Sequence, residues 1–173
     1  LAYSGRGRLQ IHPMDVSALV EEMAELLKVS ISKKIAIQFD LVRGLPAVEG
    51  DPTQLQQIVM NLITNASEAI GDAHGAIHLA TGKLQADRPY LASAYLAEAL
   101  QEGEYVYLEV SDTGSGMTEE VKARIFDPFF TTKFTGRGLG LAAVLGIVRS
   151  HHGTIHIKSE PGKGSTFRVL FLA

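Results

Sequence analysis

Residues 126 to 141, FDPFFTTKFTGRGLGL, combine what a phosphate-handling loop needs: close backbone approach, hydrogen-bond donors and positive charge. Gly136, Gly138 and Gly140 carry no Cβ, so the main chain can lie against a ligand. The apolar helix expected to follow offers unpaired N–H groups and the positive end of its dipole. Phe126, Phe129, Phe130 and Phe134 put four of the chain's seven phenylalanines into nine residues, broken by Pro128 and the polar Thr131-Thr132-Lys133. That spacing suits neither a regular helix nor a strand, and the rings read as plugs that seat a mobile flap. The plainer alternative is a turn packed on the core by its aromatics, with glycines that only begin a helix.

Two more groups could work with this flap. Turning about 100° per residue, Gln57, Asn61, Asn65 and Glu68 fall within about 80° of one another on one side of a helix. Glu68 is the only charged residue between Thr53 and Ile70. A helix side meant for bulk water usually carries Lys, Glu or Arg and avoids asparagine in mid-helix. Something other than water is expected to cover this face, unless it is a polar face that merely uses amides. The third group is Asp112-Thr113-Gly114-Ser115-Gly116, a carboxylate at a strand end followed by alternate glycines, which can present an acceptor to a ligand. Alone it is a weak signal, since aspartate caps turns as often.

The elements that hold these groups are legible in part. Residues 1 to 14 show little periodicity, with at most a short strand from Leu9 to Ile11. From Asp15, a plausible N-cap, Val16, Leu19, Val20, Met23, Leu26, Leu27 and Ile31 recur at helical spacing. Ile35, Ile37, Phe39 and Leu41 alternate as a strand with one buried face, and Pro46 to Glu49 adds a short neighbour. Asp51-Pro52-Thr53-Gln54 is a helix start, with an acidic N-cap, proline at the first position and glutamine three residues after the cap. Leu55, Ile58, Val59, Leu62, Ile63, Ala66, Ala69 and Ile70 form its core stripe. Strands are expected over Gly75 to Thr81 and Tyr105 to Ser111, separated by an insert from Lys83 to Gly103 with a helical run from Leu91 to Leu100. Thr118 caps a short helix to Ile125. Leu139 to His152 is a buried apolar helix that Gly153 stops, and Ile155 to Ile157 and Phe167 to Phe171 close the chain as a hairpin. Helices on one face of a mixed sheet fit this order better than a doubly wound fold.

Composition bounds the rest. The chain has 173 residues, 46% hydrophobic and 20% charged, enough for one domain with a real core. A net charge of −3 with no basic run gives no reason to expect nucleic acid or an anionic membrane as partner. Zero cysteines exclude disulfides, thiolate catalysis and Cys-ligated zinc, and no apolar run reaches the roughly 18 residues needed to span a bilayer. A cytoplasmic setting is the default. Leu1 is neither an initiator methionine nor part of a signal-like segment, so the chain is expected to be a piece of something larger.

Four clusters in order, Asn61/Asn65, Asp112-Gly114-Gly116, Gly136-Gly138-Gly140 and Gly162-Gly164, say more jointly than singly. The order resembles the histidine-kinase ATP-binding domain, in the superfamily that also holds type II topoisomerase, heat-shock chaperone and mismatch-repair ATPases. QIVMNLITNASEA (Gln57 to Ala69) resembles its N box, DTGSGM its first glycine box, FDPFFTTK its phenylalanine box, GRGLGL its second glycine box and GKGSTF its last. The match runs from about residue 9 to 172.

The resemblance implies an α+β fold, a two-layer α/β sandwich of a mixed, mostly antiparallel sheet with helices on one face. Residues 126–140 would be the ATP lid between the N box and the last glycine box, and residues 1–8 the tail of a dimerisation helix. It implies Mg²⁺-ATP as cofactor. Asp112 would accept the adenine amine, where a guanine carbonyl would be repelled, and Gly114 and Gly116 would let the base approach. Asn65 would ligate Mg²⁺, with Asn61 one turn away holding phosphate or water and Glu68 on the same face. Gly138, Leu139 and Gly140 would give N–H groups to the phosphates, with Gly136 and Leu141 beside them, and Lys133 and Arg137 would add charge. Phe126, Thr131 and Thr132 belong to the lid, and Gly164, Ser165 and Thr166 to the last box, Thr166 near adenine.

Hydrolysing relatives carry a glutamate base four residues before the magnesium asparagine. Asn61 stands there, and an amide cannot take a proton from water, so ATP should persist until an acceptor arrives. The acceptor imidazole is expected on a separate dimerisation domain of the same, homodimeric parent, with a response regulator downstream. None of His12, His74, His78, His151, His152 or His156 has the acceptor's context of a helix with an acidic residue following. His152 and His156 have metal-like spacing but straddle a helix stop and a strand, which argues against zinc. A self-contained ATPase clamp and a nucleotide-sensing binding module are the alternatives.

Overall fold

The computed structural model describes residues 10–95, 100–127 and 140–173. The expected tail, Leu1 to Arg8, lies outside them. A short strand β1 (His12–Met14) precedes helix α1 (Val16–Leu27), which ends in a 3-10 turn, Lys28–Ser30. Then come β2 (Ile35–Asp40), β3 (Val48–Gly50), α2 (Pro52–Ile70), β4 (Gly75–Ala86), α3 (Arg88–Ala92), β5 (Gly103–Asp112), α4 (Glu119–Lys122), α5 (Gly140–Ser150), β6 (Thr154–Glu160) and β7 (Gly164–Leu172).

Five strands form one sheet in the order β2-β4-β5-β7-β6, parallel between β2 and β4 and antiparallel elsewhere. β1 and β3 make a separate antiparallel pair, so the first described strand is His12–Met14; Gln10 and Ile11 lie outside it, and Leu9 lies outside the described residues. The long helices cover one face, where α2 touches both α1 and α5. This is the expected two-layer sandwich. Seven α2 residues, Leu55, Ile58, Val59, Leu62, Ile63, Ala66 and Ile70, are buried there against Val106, Leu108, Val110, Phe167, Val169 and Phe171 of the sheet. Each large side chain contributes roughly 1.5–3 kcal/mol of burial.

Several element boundaries are set by packing rather than by local pattern. In α1, Leu26 is 65% exposed while Ser17 and Ala24 are buried. Ser17 tolerates this because its hydroxyl reaches Val42 O and Thr81 Oγ1, both at 2.6 Å. β2 is an edge strand, and its burial fades from Ile35 to Phe39, which is 39% exposed with the Lys28 ammonium 5.7 Å from its ring centroid. The expected insert begins and ends as sheet: Lys83 to Ala86 pair with Val106 to Gly103, so β4 and β5 form one long hairpin. Its described helix is Arg88–Ala92, capped by Asp87, and Ser93 to Tyr95 leave it, which breaks the run expected from Leu91; residues 96–99 lie outside the described ones. Leu91 then packs with Ala86, Leu100, Tyr105 and Leu170 as a small second core on the sheet's reverse face.

α5 is less buried than its apolar sequence suggests: only Val144 and Val148 are fully covered. It ends in a Schellman motif whose left-handed residue is His152 (φ 57°), with the His152 and Gly153 N–H groups donating to Arg149 O and Val148 O. Gly153 is needed for another reason, since a Cβ there would lie 2.4 Å from Leu170 O. His156 sits on the reverse face, its ring stacked on Tyr90 at 4.1 Å. Burial, then the charges of Arg168 and Lys158, push its pKa down.

Candidate nucleotide-binding site

β5, between β4 and β7, ends in the carboxylate of Asp112. Val106, Leu108 and Val110 face the helix layer, and strand alternation turns Asp112 to the same side. Only 7% of Asp112 is exposed. Its Oδ1 accepts the Gly114 N–H at 2.8 Å, and the Ser165 N–H also bonds the carboxylate. Burial raises its pKa more than these two donors lower it, so it stands above the ordinary carboxylate value. A desolvated acceptor of this kind gains from one more donor.

The turn after Asp112 is clamped by backbone. A Cβ on Gly114 would lie 2.6 Å from the carbonyl carbon of Ala69, and one on Gly116 (φ 68°) 1.9 Å from Glu160 O. Gly164 (φ 85°) meets Asp112 O in the same way, at 1.9 Å. At Gly114 and Gly116 the chain itself fills the space a Cβ would take. Further bonds hold the turn, from Ser115 N to Ala69 O at 3.1 Å and from Gly162 N to Ser115 O at 2.7 Å. Met117 N donates to Ser159 Oγ at 2.8 Å.

The sheet register separates Ser165 from Thr166. Ser165 pairs with Asp112 and shares its face, while Thr166 pairs with Ser111 on the other side, where their hydroxyls meet at 2.8 Å. Thr166 thus points away from the helix layer. Ser165 is the hydroxyl beside Asp112, and its Oγ lies 2.7 Å from Ser159 Oγ. Ser159 was missed in the sequence because only strand pairing brings it to the turn.

On α2, Asn61 and Asn65 are half-buried and Gln57 and Glu68 exposed. The Asn61 amide donates to Gly140 O at 3.1 Å, fixing the first residue of α5 to the N-box helix. Leu141 follows, half-buried against the core. Among the described residues no hydrogen bond holds the Asn65 amide, whose oxygen is a hard donor of the kind Mg²⁺ accepts. A single protein ligand suits Mg²⁺, which keeps waters and phosphate oxygens for the rest. Phe126 packs partly buried on the core at the end of the α4 segment. Thr131, Thr132, Lys133, Gly136, Arg137, Gly138 and Leu139 lie outside the described residues.

α2 ties these parts into one scale. Its Ala69 touches the Asp112 turn and its Asn61 holds Gly140, and at 1.5 Å per residue those two points are about 12 Å apart. A buried acceptor at one end and an amide face beside a helix start at the other fit an extended nucleoside phosphate. No helix among the described residues is long and apolar enough to cross a membrane.

Known proteins are similar to this chain in sequence and fold. The chain is 37% identical over 98% of its length to the sensor kinase CckA of Brucella abortus, of which it spans 18%. The catalytic domain of histidine kinase ThkA, in a nucleotide-free form, superposes with a TM-score of 0.75 at 28% identity, covering 95% of this chain and 96% of that one. Full-length ShkA, in complex with AMPPNP, gives a TM-score of 0.74 at 28% identity, covering 95% of this chain and 31% of that one. The profile of the histidine kinase-, DNA gyrase B-, and HSP90-like ATPases matches residues 50–173, from the end of β3 through β7, and the chain belongs to that family.

Proposed function

We propose that this chain is the ATP-binding catalytic domain of a sensor histidine kinase, which takes Mg²⁺-ATP and passes its γ-phosphoryl group to a histidine on a separate dimerisation domain. The observation that carries the reading is the pairing of a buried, donor-hungry Asp112 with the Asn61/Asn65 face, about 6 to 12 Å along α2 from the Ala69 contact of its turn. Asp112 accepts the adenine 6-amino group, and a guanine carbonyl in its place would meet a carboxylate, so ATP is preferred over GTP. Ser165 flanks the base. Asn65 would hold Mg²⁺, and the ion would supply charge neutralisation at the phosphates. Gly140, with Gly136, Gly138 and Leu139, lines the phosphates by backbone N–H groups, and Lys133 and Arg137 add charge there.

Asn61 keeps ATP intact. Its amide nitrogen donates to Gly140 O, and no carboxylate stands at that position to take a proton from water. The parent protein would be a cytoplasmic-facing homodimer signalling to a response regulator. The nearest test is a thermal-shift titration with Mg²⁺-ATP and Mg²⁺-GTP, followed by mixing with a purified dimerisation domain and ³²P detection of phosphohistidine. Stabilisation by ATP with transfer to histidine is the expected result. Stabilisation without transfer would leave a binding module, and rapid turnover by the chain alone would indicate an ATPase clamp.

A further inference from the structure

The first part of the β4–β5 connection, residues 87–95, crosses the reverse face of the sheet as a strap. Leu91 anchors it in the second core, and the Tyr90 ring stacks on His156 while its hydroxyl accepts from Arg168 Nη1 at 3.2 Å. The strap then reaches the free edge of β6, where Tyr95 N donates to Ile155 O at 3.0 Å and Thr154 Oγ1 donates to Tyr95 O. With its backbone held there, Tyr95 projects its side chain past the sheet edge. Its hydroxyl donates to Lys122 O, the last residue of α4, at 3.3 Å, and its ring meets Phe126 edge to face at 5.0 Å and 74°.

α4 has only four residues, none of them buried, and the segment after it is held on the helix side by Ile125, buried in the main core, with Val121 and Phe126 packed partly buried against that core. Its beginning is fixed by the Asp112 turn through Met117 and Ser159, and by the Thr118 cap on Val121 N at 3.1 Å. From the sheet-edge side, Tyr95 adds a second contact to this end of the segment that runs from Asp112 to Phe126, through Lys122 O and the Phe126 ring. We propose that Tyr95 is a positioning residue for the nucleotide site, acting through Phe126 and α4, so that the β4–β5 strap tunes ATP affinity from the reverse face of the sheet. The inference rests on the ATP-binding reading above. A segment already ordered before binding costs a ligand less than one that must be ordered on arrival, and an aromatic pair is worth about a two- to tenfold change in affinity.

The test uses the whole chain as wild type, Tyr95→Ala and Tyr95→Phe. Amide exchange is followed at Lys122, Ala123, Arg124 and Asp127, whose N–H groups are bonded within this segment. Mg²⁺-ATP affinity is measured at a temperature where every variant is folded. Tyr95→Ala should speed exchange at those four amides and weaken ATP about two- to tenfold, and Tyr95→Phe, which keeps the ring, should restore most of the affinity. Unchanged exchange, or a lowered melting temperature with unchanged ATP affinity, would overturn the proposal by leaving Tyr95 a structural role alone. If Tyr95→Ala does not fold, Tyr95→Leu keeps apolar bulk without ring edge or hydroxyl and carries the same expectation. Failure of the wild-type chain to bind Mg²⁺-ATP is a different result, and sinks the nucleotide reading itself.

Discussion

The backbone N–H of Asp51 donates to Nε2 of His151, 3.1 Å away and a hundred residues later in the chain. His151 Nδ1 lies 2.9 Å from Ile147 O, so the neutral ring with its proton on Nδ1 satisfies both bonds. The start of α2 and the end of α5 are thereby joined. In a capping box the N3 side chain, here Gln54, would take the N-cap N–H. The histidine has taken it instead, and Gln54 Oε1 is buried without a partner.

Asp51 makes acid stability a readout of this junction. Burial alone would raise its pKa, but the N–H groups of Gln10, Gln54 and Thr53 and the nearby His151 outweigh that and hold it below its ordinary 3.8. A depressed carboxylate stabilises the fold fully above the unfolded value and loses that contribution as pH falls through the folded one. Asp51→Ala should cost about 1–2 kcal/mol at pH 7 and flatten the acid limb of the stability curve below pH 4. Urea midpoints from pH 7 to pH 3 check it, and parallel curves for the two proteins would contradict it.

Asp112 has the opposite sign. Its folded pKa lies above the unfolded value, so the ionised carboxylate costs stability, and the cost grows as pH rises from the unfolded value to the folded one. Asp112→Asn removes that cost but turns a donor toward the adenine amine. The nucleotide-free melting temperature should hold or rise, while ATP binding weakens about tenfold to a hundredfold and the preference over GTP disappears. Calorimetric titration beside a thermal scan reads both, and an unimpaired ATP affinity would remove Asp112 from the site.

How far the sequence reached can be followed at individual residues. The α2 cap, its seven buried stripe residues and the alternation of β5 and β7 were legible because each is a local pattern of period 3.6 or 2. Pairing was not. Nothing local tells Ser165 from Thr166, since which of two adjacent hydroxyls shares a face with Asp112 depends on the register with β5. His151 as the cap partner, and Tyr95 as the contact of Phe126, depend likewise on residues 100 and 31 positions apart. Gly114 and Gly116 were visible as glycines, but their neighbours, Ala69 and Glu160, belong to other elements.

Two glycines of the last hairpin separate backbone strain from collision. Gly162 (φ 78°) has nothing within 4 Å of a built Cβ, whereas Gly164 (φ 85°) would meet Asp112 O at 1.9 Å. Gly162→Ala should cost only the left-handed conformation, about 1–2 kcal/mol. Gly164→Ala adds a backbone clash at the base acceptor and should cost about 3 kcal/mol or more, with loss of ATP binding. Equal denaturation midpoints for the two variants would show that the β5–β7 junction gives way more easily than its geometry implies.

Asn61 offers the sharpest contrast between keeping and spending ATP. Its Nδ2 donates to Gly140 O, and both the bond and the absence of a base end if a carboxylate replaces the amide. Asn61→Glu should raise phosphate release from Mg²⁺-ATP by about a hundredfold over the wild-type baseline, the low end of what a positioned general base contributes. Asn61→Ala loses the same Gly140 bond without supplying a base, so it should bind ATP less well yet show no gain in hydrolysis. A coupled phosphate assay on the three proteins, run with saturating nucleotide, separates these effects. If glutamate brings no gain while still binding ATP, water is not held beside this position, and the persistence of ATP has to come from exclusion of water instead.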